Sequence, residues 1–255
     1  MTLISSKTFA DACDFVICHA YGDLGNVRKP AATPKRIFIA GEYSVFERAL
    51  PLLTSFEDKY ELVYHYSDPS FDRFKFEVIR PYVTKIYAQN CEFDHPMVKK
   101  LPLGFPDGKV PPRLEGPPTK DILCYVNLGL YNDRELKFAM SRSIRQRVYD
   151  YFRDKPWATV DETAIPFEEF SEKLNRSQYV VCPVGFGLDT MRFYESAWVG
   201  ATPIVTHSGI EKDVHREFNP LVVDSFEDVT EELLRTHERR IVGDDAFKVD
   251  FWLKY

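Results

Sequence analysis

The residues best suited to chemistry lie between Ser177 and His207, in the run SQYVVCPVGFGLDTMRFYESAWVGATPIVTH. A strand-like apolar segment runs here into a glycine loop and then into a helix. Gly185 and Gly187 let a ligand approach the backbone, and a helix starting near Asp189 or Thr190 aims its free N–H groups and positive dipole end at that loop. An anion, most simply a diphosphate, suits such a place. Arg192 falls in the first helical turn and Glu195 one turn later, so a guanidinium that neutralises phosphate and a carboxylate that holds sugar hydroxyls are presented together. The same residues have a plain structural reading. GFG before a helix is a common turn, Asp189 or Thr190 is a helix cap, and Arg192 with Glu195 is a solvated i,i+3 pair. The run also lacks the third glycine of a dinucleotide fingerprint, and no acidic residue ends the next strand, which disfavours a dehydrogenase.

Other chemistries find less support. Cys13, Cys18, Cys91, Cys124 and Cys182 form no CxxC pair, and no HExxH or Cys/His cluster with zinc spacing occurs, so reduced core thiols and no structural metal are expected. No D-x-D sequence occurs either; Glu92-Phe93-Asp94 is a near miss. Arginines and a helix terminus can hold a diphosphate where paired carboxylates would otherwise hold a cation against it, and metal-independent chemistry is the expectation. A net charge of −6 argues against a nucleic-acid partner. No apolar run approaches the roughly 18 residues of a membrane span. The start MTLISSKTFADACDF is not a basic segment followed by a long apolar stretch. The chain reads as soluble and cytoplasmic, with no membrane span. Aromatic residues make up 15% of the chain, enough for stacking platforms, but filling of the core is the preferred reading.

These side chains need elements to position them. Short β-branched and aromatic runs predict strands at 14–19, 36–40, 61–66 and 85–89, with helices over 45–53, where Pro51 bends or ends the run, and 71–78. The proline- and glycine-rich stretch GFPDGKVPPRLEGPPTK, residues 104–120, reads as a linker. After it the rhythm restarts. Strands are expected at 122–126, 157–160, 179–182, 203–206 and 221–223, and helices at about 133–152, 167–175, 190–199 and 226–238. The first of these helices carries Leu136, Met140, Ile144, Val148 and Tyr151 along one stripe, with Arg134, Arg142, Arg145 and Arg153 opposite. The expected architecture is therefore α/β, with a first lobe over 1–110, a second over 118–240, and a C-terminal segment 241–255 packing back on the first. Ligands in such folds gather at the carboxyl ends of the strands.

The order SQYVVCPVGFGLDTMRFYESAWVGATPIV resembles the C-terminal signature of exostosin-type glycosyltransferases, in which a strand ending in C-P-x-G precedes an Arg-containing helix, a Glu and then G-x-x-P-V/I. IYAQNCEFDHPMVKKLPLG, from Ile86, and SRSIRQR, from Ser141, are similar to two further stretches of that family. The resemblance covers about residues 84–210. It implies two facing Rossmann-like lobes of the GT-B type with an interlobe cleft, and an inverting transfer from a nucleotide sugar, most simply a UDP-sugar, to a glycan hydroxyl. Carried over residue by residue, it puts Arg192 on the diphosphate, Glu195 on the ribose and Arg142, with Arg145, on phosphate. Gly185 to Thr190 form the loop, and Thr206, His207 and Ser208 lie near the base or phosphate. Members of the family typically carry a membrane anchor and a longer luminal domain, neither of which is read here, so a compact cytosolic version is the expectation. The alternatives are a sugar-nucleotide epimerase or hydrolase of the same fold, and a non-catalytic sugar-nucleotide or glycan-binding protein.

Inversion by single displacement requires a base at the end of a first-lobe strand. Asp72, then Asp68, then His19 are the preferred candidates, ahead of Asp23 and Glu42. Each has a plain alternative: Asp68 before Pro69 starts a turn, Asp72 caps a helix, and a strand-end His is often structural. His95 reads as a turn residue, and His215 and His237 as surface helix positions. Arg192 and Glu195 are expected in a wet cleft, so that losing either weakens donor binding with little loss of stability.

Overall fold

The computed structural model describes residues 2–18, 29–41, 45–114, 119–130, 139–161, 165–185, 187–210 and 212–254, with the backbone alone for 139–143. The chain divides into two compact units, Met1–Asp107 with Phe247–Tyr255, and Gly108–Ala246. Each is an α/β layer built on a five-stranded parallel sheet.

In the first unit β1 (Phe15–Ile17), β2 (Arg36–Ala40), β3 (Tyr60–His65), β4 (Val83–Gln89) and β5 (Val98–Leu101) lie side by side in chain order. All six residues of β3 are buried, as expected of a parallel strand covered on both faces. Helix α1 (Ser6–Asp11) precedes the sheet and opens on a reciprocal Ser5/Thr8 capping box, a start not read from the sequence. Helices α2 (Val45–Leu53) and α3 (Arg73–Ile79) connect strands, and Pro51 sits inside the last turn of α2 without ending it there. Much of the aromatic content is core: Tyr60, Tyr64, Phe46, Phe71 and Phe76 are fully buried. The Tyr60 hydroxyl donates to Leu53 O at 2.9 Å, and that of Tyr64 pairs with Ser67 Oγ at 2.9 Å, so burial leaves neither hydroxyl unsatisfied.

The second unit holds β6 (Ile122–Asn127), β7 (Ala158–Asp161), β8 (Ser177–Val181), β9 (Thr202–Thr206) and β10 (Leu221–Val223) in the order β10-β9-β8-β6-β7. Its helices are α4 (Ala139–Phe152), α5 (Phe167–Arg176), α6 (Met191–Trp198) and α7 (Glu231–Thr236). After β6 the chain steps outward to β7, then crosses back to β8 on the other side, so the winding reverses between β6 and β8. That reversal opens a crevice at the carboxyl ends of these two strands. The first sheet, laid down in simple order, has no such reversal. The single helix expected over 226–238 is instead a 3-10 turn, Phe226–Asp228, and α7, because Thr230 caps a new start by accepting from Leu233 N at 3.1 Å.

Helix α6 is held firmly at its C-terminal end. Arg113 Nε donates to Trp198 O at 2.7 Å, Lys120 Nζ to Val199 O at 2.9 Å and Arg239 Nη2 to Gly200 O at 2.8 Å. Three cations thus meet the negative end of the helix, leaving its positive end directed to the crevice. The last short helix, α8 (Val249–Leu253), belongs to the first unit, where Ile4 N donates to Phe247 O at 2.9 Å and Phe247 stacks on Phe105. No helix among the described residues is long and apolar enough to cross a membrane.

Candidate anion site at the carboxyl edge of the second sheet

The crevice gathers groups from four elements. Strand β6 ends in Asn127, strand β8 leads through Cys182 and Pro183 to Val184 and Gly185, and helices α4 and α6 each contribute one arginine. Arg145 of α4 donates from Nε to Val184 O and from Nη1 to Gly129 O, both at 3.3 Å. A Cβ on residue 185 would stand 2.9 Å from Arg145 Nη2, so the guanidinium approaches the loop through the space that glycine leaves open. The bonds to Arg145 are all to carbonyl oxygens, and no carboxylate faces it among the described residues.

Arg192 of α6 is held from several sides. Its Cζ lies 3.9 Å from the centroid of the Phe170 ring, its Nη2 donates to Asn127 Oδ1 at 3.0 Å, and its Nε is 3.6 Å from Glu195 Oε2. Nε and Nη1 are buried without a hydrogen-bond partner. Burial, followed by the positive charge of Arg192, pushes the Arg145 guanidinium below its usual range. Two guanidinium groups thus lie near one another, with Glu195 beside Arg192 alone, and Nε and Nη1 of Arg192 have no hydrogen-bond partner. Such an arrangement is chemically suited to an anion with more than one negative charge. Thr190, at the start of α6, makes no side-chain bond to the helix and its Oγ1 has no partner, so the N-terminal N–H groups lack a side-chain cap.

Glu195 departs from expectation. It is 6% exposed, and burial raises its carboxyl above the usual range despite the opposing pull of Arg192. A wet cleft does not describe it, and Arg192 itself is only partly exposed. Asp189 is committed elsewhere as well: it is buried, accepts from Thr190 N at 2.8 Å and from the Tyr194 hydroxyl, and pairs with His215 Nε2 at 3.0 Å. Its carboxylate fastens the loop to the 3-10 turn His215–Phe218. His215, read as a surface position, is buried and stacked on Phe193 at 4.0 Å between centroids, because that turn folds its ring inward over α6. His237 is partly buried, at the end of α7, against the Tyr179 hydroxyl.

Gly187 accepts from Gly185 N at 3.2 Å, closing the loop on itself. Thr206 ends β9, beside β8, and the exposed His207 that follows lies 3.5 Å from Asp224 Oδ1; Ser208 comes next in the same loop. Arg142 lies in α4 where the backbone alone is described.

In the first unit, His19, Asp23 and Glu42 lie outside the described residues. Asp72 is the N-cap of α3: Oδ1 accepts from Lys75 N at 2.9 Å and Oδ2 from Lys75 Nζ at 2.8 Å. Burial alone would raise its carboxyl, but these bonds outweigh it and hold the group below the usual range. A capping carboxylate held below the usual range is a weaker proton acceptor than a free one. Asp68 carries no hydrogen bond or ion pair among the described residues, and burial raises its carboxyl.

Sequence reasoning missed three contributors: Asn127, Phe170 and Asp161. Asn127 stands one residue beyond the expected strand, and its position at a strand end was the available signal. No known family model matches the chain, and no curated protein matches it in sequence.

Proposed function

We propose that the protein is an inverting glycosyltransferase that moves a sugar from a nucleotide-sugar donor, most simply a UDP-sugar, to a glycan hydroxyl, with the second unit binding the donor. The observation that carries the proposal is the placement of Arg145 against the Gly185 loop and of Arg192 against Asn127 at the winding reversal, with two Arg192 donor atoms lacking a hydrogen-bond partner. The resemblance of residues 84–210 to exostosin-type enzymes supports the same reading.

In this mechanism the arginines and the start of α6 hold the diphosphate, and Glu195 receives the ribose hydroxyls. Asp68 accepts the proton of the acceptor hydroxyl as its oxygen attacks the anomeric carbon from the face opposite the leaving group. The bond from that carbon to the phosphate oxygen breaks, and the nucleoside diphosphate departs with its added charge met by the guanidinium pair. The arginines carry the charge that a cation carries in metal-dependent transferases, and turnover is expected to persist in the presence of a chelator.

Thermal unfolding with UDP, GDP, dTDP and their sugars, with and without chelator, tests the donor assignment, because a ligand of the native state raises Tm. A selective shift with UDP and one UDP-sugar supports it; no shift with any nucleotide returns the loop to the status of an ordinary turn. Product analysis with an acceptor then separates transfer from hydrolysis or epimerisation. A protein that binds UDP yet is indifferent to loss of Asp68 is a binding module.

A further inference from the structure

Asn127 and Asp161 are Cα partners on the last rung between β6 and β7. At that rung the side-chain amide of Asn127 is used at both ends. Nδ2 donates to Asp161 Oδ2 at 2.9 Å, and Oδ1 accepts from Arg192 Nη2 at 3.0 Å. A carboxylate accepts and cannot donate, so Asp161 fixes which end of the amide faces it and thereby turns the carbonyl oxygen toward the guanidinium. Asp161 is itself held by the Tyr125 hydroxyl at 2.5 Å on Oδ2 and by Lys173 Nζ at 2.6 Å on Oδ1. Its charge is matched by Lys173, which also meets Glu169 at 2.9 Å, so the carboxylate orients the crevice without cancelling the charge of the arginine pair.

We propose that Asp161 is a positioning residue for anion binding, acting through the Asn127 amide to hold Arg192 over Phe170 so that Nε and Nη1, which have no hydrogen-bond partner, can serve the ligand. The proposal rests on the reading of the arginine pair as an anion site. It assigns a role to the end of β7, a strand with no direct bond to Arg192 among the described residues.

The test uses UDP and inorganic pyrophosphate as probes in calorimetric titrations, alongside 15N spectra of the Asn127 amide and the Arg192 guanidinium recorded without ligand. Asp161→Asn, which removes the fixed acceptor, is expected to weaken binding of both probes about tenfold and to shift the Arg192 signals. Asn127→Ala is expected to weaken binding as much, and the double variant no more than either alone. Lys173→Ala breaks the ion pairs with Asp161 Oδ1 and Glu169 but leaves the Asn127 bond on Asp161 Oδ2, so it should lower Tm while leaving affinity and the Arg192 signals in place. Unchanged affinity in Asp161→Asn, additive losses in the double variant, or equal losses in Lys173→Ala would overturn the relay. If the wild-type protein binds neither probe, the anion site itself fails, and unshifted Arg192 signals in Asp161→Asn then dispose of the relay independently.

Discussion

Arg192 lies over the ring of Phe170, its Cζ 3.9 Å from the centroid. Phe170 in turn stacks on Tyr125, with centroids 6.3 Å apart, so a guanidinium from α6 rests on an aromatic pair supplied by α5 and β6. Planarity is what this seat requires. An ammonium has no plane to stack and no second arm to reach Asn127 while facing a ligand. Arg192→Lys is therefore expected to lose about tenfold in UDP affinity, with Tm nearly unchanged. Calorimetric titration beside a melting curve checks this, and full retention of affinity would mean that any cation serves.

Two glycines make opposite predictions. At Gly185 an added Cβ would meet only Arg145 Nη2, at 2.9 Å, the far end of a flexible side chain. Gly185→Ala should leave stability within about 1 kcal/mol of wild type while displacing the guanidinium and weakening UDP binding. At Gly41 an added Cβ would stand 2.3 Å from Tyr64 Cζ and 2.5 Å from Ser67, both buried and mutually bonded. Gly41→Ala should cost about 1–3 kcal/mol or more through overpacking, with no specific effect on UDP affinity once folded protein is compared. Urea unfolding and titration of both variants separate the two outcomes.

Much of the fold was legible because the strands advertise themselves. Runs such as RIFIA and ILCYV are β-branched and bounded by polar residues, and the observed β2 and β6 begin where those runs begin. Strand β5 was not legible. Its sequence, VKKL, carries two lysines, and it follows β4 through a helix-free loop over residues 90–97, shorter than the crossover of roughly a dozen residues that joins most parallel strands. The glycine loop, Arg192 and Glu195 were legible as a group because helix spacing and strand order place them near one edge, whereas Arg145 was named only through the family resemblance. Their surroundings were not: the burial of Glu195 and His215 depends on which turn folds over α6, and the pairing of Asn127 with Asp161 depends on strand register. Neither is written in local spacing.

The proposed base Asp68 and the helix cap Asp72 should respond differently to substitution. Asp72→Ala removes the side-chain acceptor for Lys75 N and should cost about 1 kcal/mol of stability while sparing turnover. The depressed pKa of Asp72 means that this contribution is present above the unfolded-state value and fades as pH falls through the folded one. Asp68→Asn should do the reverse, abolishing turnover at unchanged UDP affinity and, because the residue is exposed, with Tm nearly unchanged. A transfer assay paired with melting curves tests both. Turnover lost with Asp72 and kept without Asp68 would restore the order expected from the sequence.

Glu195 supplies a pH test of the site. Burial raises its carboxyl although Arg192 opposes the shift, so the folded state holds the proton more tightly than the unfolded chain. For a carboxyl raised in this way, the stabilising contribution is complete below the unfolded-state pKa and is lost as pH rises through the folded one. Glu195→Gln keeps the shape and removes the charge. Between mildly acidic and neutral pH the variant should therefore lose less stability than wild type, and at neutral pH it should be at least as stable. UDP binding should still weaken, since the amide is a poorer acceptor for ribose hydroxyls than a carboxylate. UMP, uridine and pyrophosphate titrations place the loss: weakened uridine and UMP with intact pyrophosphate is the expected pattern for a carboxylate on the ribose. Loss confined to pyrophosphate would mean that Glu195 serves only to hold Arg192.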